Sequence, residues 1–120
     1  MLKVLTESNG NRLAMRATEL LTDEDYEQIM IPTVEKLLAE HGKLRFLLDC
    51  DENFRGWKPV ALWDDAKFGL KHRNDFEKIA LVGAPLLTEW SARLANHLLD
   101  VEMETFEPGE FEKAWHWLNH

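Results

Sequence analysis

The sequence predicts a mixed α/β fold with the element order ββαβαβαβα. Two observations carry that expectation. Short apolar runs alternate with amphipathic stretches along most of the chain, and strand–helix–strand alternation implies right-handed crossovers between parallel strands. Near the start, Asn9-Gly10 separates two segments of alternating pattern. Such a pair marks a tight hairpin, which adds an antiparallel strand and makes the sheet mixed.

Taken in order, Leu2, Val4 and Thr6 alternate with Lys3 and Leu5, and Leu13, Met15 and Ala17 alternate with Arg12, Ala14 and Arg16. Ser8-Asn9-Gly10-Asn11 is the turn between them. Thr22 is placed to cap a helix, with Asp23, Glu24 and Asp25 facing its positive end. Tyr26, Ile29, Met30, Val34, Leu37 and Leu38 recur at helical spacing up to Gly42, a natural stop. Pro32 interrupts this helix and should kink or divide it. Leu44 to Leu48 is a mostly apolar run, as expected of a strand buried on both faces. Asp49 to Gly56 reads as a polar loop. Pro59 opens a second helix with Leu62, Trp63, Ala66 and Leu70 on one stripe. Phe76 to Val82 is the next strand, closed by Gly83. A third helix starts near Pro85 and buries Leu86, Leu87, Trp90, Leu94 and Leu98. Val101 to Phe106 is a last strand whose glutamates place it near an edge. Pro108 opens a final helix with Phe111, Ala114, Trp115 and Leu118 on its inner side.

Composition bounds the function. The 120 residues favour one domain spanning 1–120. An apolar fraction of 45% suits a packed core. With 14 basic and 22 acidic residues the formal charge is -8, which argues against nucleic acid as the main partner. A lone cysteine, Cys50, excludes an intramolecular disulfide and a cysteine-rich zinc site. No apolar run approaches the ~18 residues of a spanning helix, and no leader pattern opens the chain. The expectation is a small, acidic, soluble protein of the cytoplasm, with no cofactor.

Several motifs occur in a characteristic order. Leu21-Thr22-Asp23-Glu24-Asp25-Tyr26 opens the first helix, and Phe54-Arg55-Gly56-Trp57 precedes the second. Asp65-Ala66-Lys67-Phe68-Gly69-Leu70-Lys71-His72 and Phe76-Glu77-Lys78-Ile79-Ala80-Leu81-Val82-Gly83 follow, and Ala114-Trp115-His116-Trp117-Leu118 closes the series. Together they resemble the SpoIIAA-like family of small bacterial proteins, within the wider STAS fold (sulfate transporter and anti-sigma-factor antagonist). The resemblance covers nearly the whole chain. It implies a binding module rather than an enzyme. It also implies an architecture similar to CRAL-TRIO domains, which hold an apolar ligand between sheet and mobile helices. Anti-sigma-factor antagonists switch by phosphorylation of a Ser or Thr at the start of the second helix. This sequence departs from them, having neither residue type between Thr33 and Thr88. No phosphosite is carried over.

Four constellations could carry chemistry. The first is Asp49, Asp51, Phe54, Arg55, Trp57 and Lys58, after a central strand, where open α/β sheets bind ligands. The free N–H groups of the next helix, with Arg55 and Lys58, could hold an anion. The blander alternative is that Trp57 closes the core and the aspartates cap turns. The second is the basic cluster Lys67, Lys71, His72 and Arg73, suited to an acidic partner or a lipid head group at a membrane surface. It equally suits the negative end of its own helix, and His72 could simply pair with Asp75. The third is aromatic: Trp63, Trp90 and Trp115 read as core, whereas Trp57 and Trp117 lie off the inner stripes. The fourth, Glu112, His116 and His120, shares one helix face at metal-competent spacing, but its last member sits where a helix frays. No metal site is expected. Ser8 and Ser91 lack the surroundings of a nucleophile, and two aspartates flanking Cys50 disfavour its thiolate.

The expected function is therefore non-catalytic docking of a protein partner, using Asp51 to Lys58 and the basic end of the second helix, without a phospho-Ser/Thr switch. The alternative is a small apolar-ligand or lipid carrier of CRAL-TRIO type, in which Trp63 and Trp90 line a cavity. The last strand is the candidate edge for a homodimer, although its glutamates discourage edge pairing.

Overall fold

A hairpin starts the chain. In the computed structural model, which describes residues 1–57, 75–83 and 102–120, β1 (Leu2–Val4) runs antiparallel to β2 (Arg12–Ala17). Asn9 and Arg12 exchange backbone hydrogen bonds of 2.9 and 3.0 Å, leaving Gly10 and Asn11 at the tip. Gly10 takes φ 58°, the positive value for which a primed turn selects glycine. Both faces of the hairpin are covered. Leu2 is buried on one side of the sheet and Leu5 on the other, while Val4 is exposed.

β3 (Leu20–Leu21) leads into α1 (Asp23–Asp25) through Thr22. The Thr22 hydroxyl accepts from the Asp25 N–H at 3.3 Å, and the Asp25 carboxylate accepts from the Thr22 N–H at 2.9 Å. This reciprocal cap satisfies two donors that a helix start otherwise leaves open. Thr22→Ala should therefore cost about 1 kcal/mol, seen as a lower urea midpoint, while Thr22→Ser should keep most of it.

Pro32 has the expected effect, in a specific form. Tyr26–Met30 is a π turn, with the Ile31 N–H bonded to the Tyr26 carbonyl five residues back, and α2 (Ile31–His41) continues from it. Proline lacks a donor and its ring crowds the carbonyl four residues earlier. The widened turn before Pro32 takes up that mismatch, so the helix is bulged rather than cut. Gly42 ends it at φ 81°, donating to the Leu38 carbonyl.

β4 (Leu44–Cys50), β6 (Phe76–Val82) and β7 (Glu102–Phe106) join the hairpin in a five-stranded sheet of order β1-β2-β4-β6-β7. β2, β4, β6 and β7 are mutually parallel, as the alternation predicts, and β7 lies at the edge with Glu102 and Glu104 exposed. The predicted loop at 49–56 requires correction. β4 continues through Asp49 and Cys50, and β5 (Gly56–Trp57) pairs with β3 in a separate parallel ribbon. Asp49 is tolerated in the strand because Arg16 stands opposite it on β2.

The two faces bury different partners. Leu13, Met15, Phe46, Leu48, Ile79 and Leu81 belong to a core with Tyr26, Met30 and Val34. Ala14, Leu47, Ala80 and Val82 pack with Ala114 and Leu118 of α3 (Phe111–Asn119). A register shift between Leu44 and Arg45 leaves Glu77 as an extra residue in β6. The resulting bulge turns Phe76 toward Phe46, with ring centroids 6.2 Å apart.

Pro108 does not open α3. Glu110 donates to the Glu107 carbonyl, and Gly109 takes φ 88°, so Pro108-Gly109 forms a turn and the helix begins at Phe111. Proline at the first central position and a positive-φ glycine at the second is the type II preference, which here outweighs proline's fit to a helix start. Trp115 and Trp117 are both half-buried, and Trp117 meets Phe106 at 5.9 Å between ring centroids. The predicted second and third helices, with Trp63 and Trp90, lie outside the described residues.

Candidate functional site

The carboxyl ends of β2 and β4 carry the first constellation. The Asp51 N–H donates to the Ala17 carbonyl at 3.1 Å, continuing the strand pairing for one more residue. Its carboxylate then accepts from the Asn53 N–H at 2.9 Å, and its carbonyl accepts from the Phe54 N–H at 3.0 Å. Asp51 thus builds the turn from both its side chain and its backbone.

Residues 17–21 brace this turn from the other side. Glu19 donates to the Asn53 carbonyl at 3.1 Å and accepts from the Arg55 N–H at 2.6 Å. The β3–β5 pairing, Leu20 with Gly56 and Leu21 with Trp57, completes the seam. Glu19 reaches these partners at φ 56°, a left-handed conformation uncommon for a non-glycine residue. Behind the rim, Gly83 sits at φ 114° directly against the backbone of Cys50.

The predicted residues part into two groups. Asp51, Phe54 and Arg55 share the rim, with Phe54 half-buried against the core on the α1–α2 side and Arg55 exposed. Asp49 turns to the opposite face of the sheet. It is 8% exposed, and its carboxylate accepts from the Arg16 Nε at 2.9 Å. Trp57 contributes its backbone to β5. Its side chain, together with Lys58, Lys67, Lys71, His72 and Arg73, lies outside the described residues.

Glu19 and Arg16 were not among the sequence candidates. Arg16 becomes legible only once β2 is known to pair with β4. A left-handed glutamate has no sequence signature at all. Among the described residues, no group of three or more His, Cys, Asp or Glu side chains could hold a metal ion. The rings of His116 and His120 lie next to each other, with centroids 4.3 Å apart and planes tilted by 37°.

The result is a braced turn showing Glu52, Asn53 and Arg55 to solvent beside Glu19. A family model described as SpoIIAA-like matches residues 12–119. The chain belongs to the SpoIIAA-like family. The resemblance drawn from the motifs is thereby borne out, and so is the mixed α/β class. Among solved structures, this SpoIIAA-like chain is similar to an uncharacterized protein of the DUF3478 family, with a SpoIIAA-like fold, from Shewanella loihica PV-4. The TM-score is 0.75 and the identity 36%, over 98% of this chain and 93% of that one. No curated protein matches it. Among the described residues, no helix is long and apolar enough to cross a membrane.

Proposed function

We propose that this SpoIIAA-like domain is a non-catalytic module that docks a protein partner on the rim formed by residues 51–55 and Glu19. One observation carries the reading: the turn is stitched to residues 17–19 by the hydrogen bonds of Asp51, Glu19 and Arg55. Exposed charged groups on a braced backbone lose little conformational freedom when a partner arrives. Glu19 and Glu52 flank Arg55 with opposite charge, which favours a partner that presents both signs and so sets its orientation. With neither Ser nor Thr between Thr33 and Thr88, docking is not switched by phosphorylation there.

Site-specific photo-crosslinking in the native cell tests this. A photoreactive residue at position 52 or 55 should yield one discrete protein adduct, and the same group at Lys36, exposed on α2, should yield none. Arg55→Glu should cut the adduct formed from position 52 by about tenfold, the size expected when a charge-assisted hydrogen bond at an interface is reversed. Equal yields at positions 36, 52 and 55 would reject the rim as the docking surface.

A further inference from the structure

At the opposite ends of the same strands, three cations form a line across the sheet. Arg12 of β2 stands opposite Arg45 of β4, and Arg45 opposite Lys78 of β6. Strand alternation puts all three on the face that carries α3, since Ala14, Leu47 and Ala80, two positions further along each strand, pack there. In a protein of formal charge -8, three neighbouring cations on one face form a strong local exception. Like charges on adjacent strands destabilise the pairing unless something neutralises them.

The three are not neutralised alike. Lys78 donates to the Trp117 carbonyl at 3.2 Å, lies 4.8 Å over the Trp117 ring and is 4.0 Å from Glu102. Arg45 donates from Nη1 to the Leu118 carbonyl at 2.8 Å. Both therefore sit at the negative end of α3, where cations belong. Beyond that bond, the one carboxylate near Arg45 among the described residues is Glu77, at 3.8 Å from Nη2, outside hydrogen-bond range. Arg12 is different. Its Nε is shut off from solvent and has no hydrogen-bond partner among the described residues. A shielded guanidinium N–H with no acceptor among the described residues, beside a second guanidinium on the neighbouring strand, is a donor pair that an anion would complete.

We propose that Arg12 and Arg45 bind a phosphate group, with Lys78 raising the local potential. A phosphate fits better than a carboxylate. Two adjacent forks offer more donors than the two oxygens of one carboxylate can accept, whereas a phosphate brings three acceptor oxygens and close to two charges. This site lies at the far end of the strands from the 51–55 rim and does not depend on it. The phosphate group could belong to a soluble molecule or to a lipid head group, and the test separates these.

Inorganic phosphate titrated at constant ionic strength should give saturable shifts in amide NMR spectra, confined to Arg12, Arg45, Lys78 and residues 117–119. Arg12→Met should weaken that binding about tenfold or more, as loss of a charge-assisted contact does, while its spectrum elsewhere stays unchanged. Because Arg45 also holds α3, Arg12 is the informative position. In a parallel arm, vesicles of phosphatidylcholine containing phosphatidic acid should sediment the protein only if the phosphate is a lipid's, and Arg12→Met should abolish it. Phosphate shifts without sedimentation assign the site to a soluble phosphate compound. Unsaturable or scattered shifts, or shifts that Arg12→Met leaves intact, would overturn the proposal.

Discussion

Gly83→Ala should lower stability by about 3 kcal/mol, the upper range for a single strained backbone position, with the urea midpoint falling at unchanged slope. The cause is geometric. A Cβ at this position would stand 2.5 Å from the Cys50 carbonyl oxygen and 3.0 Å from the Cys50 Cβ. The oxygen is backbone and belongs to the central strand, so it cannot swing away. Gly83 also holds φ 114° and donates to the Phe106 carbonyl at 3.0 Å, which locks it between β4 and β7. Gly42→Ala and Gly109→Ala are the controls. Both residues have positive φ, but a Cβ at either meets nothing within 4 Å. They should show only the conformational cost, about 1 kcal/mol. If all three variants lose the same amount, the close approach at Cys50 has no energetic weight.

Leu118→Ala should cost about 2–5 kcal/mol. Leu118 is fully buried in the cluster with Leu5, Ala14, Leu47, Ala80 and Val82. Its neighbours there include three small residues, Ala14, Ala80 and Ala114, on regular elements that cannot collapse into the space left behind. The loss should also be localised. Amide exchange in Phe111–Asn119 should accelerate before that in β4, because the opposite face keeps its own core of Tyr26, Met30 and Val34. Trp115→Ala gives the contrast. That ring is half-buried and stacks on Phe111 at 6.1 Å, so its removal should cost less than removal of Leu118. A larger loss at Trp115 would mean that the helix is held from its rim and not from its inner stripe.

The parts of the fold that depend on local chemistry were legible in the sequence. Asn9-Gly10 announces the hairpin, Thr22 and Asp25 the helix start, Gly42 the helix end, and the runs around Leu47 and Leu81 the buried strands. Errors arise where a distant partner decides. Asp49 looks like a loop residue until Arg16, a strand away, neutralises it. Gly56 and Trp57 look like a helix approach until Leu20 and Leu21 give them a ladder. Pro108 misleads for another reason: two local preferences compete there, and Gly109 tips the outcome toward a turn. At the candidate site, Asp51 and Arg55 could be singled out from their position after a central strand. The bracing by Glu19 could not, because its left-handed backbone is imposed by contacts with Asn53 and Arg55 and not by its own residue type.

The parallel pairing of Arg12–Ala17 with Leu44–Cys50 bears on how the molecule is made. The ladder that joins them cannot form until the whole intervening segment, helices included, has crossed over, so loop-closure entropy is spent before this pairing returns any of it. Until then the inner hydrogen-bonding groups of the nascent hairpin stay open to any passing strand. Refolding at high concentration therefore exposes this edge to intermolecular capture, and dilution or prompt synthesis of the segment through Cys50 is what protects it.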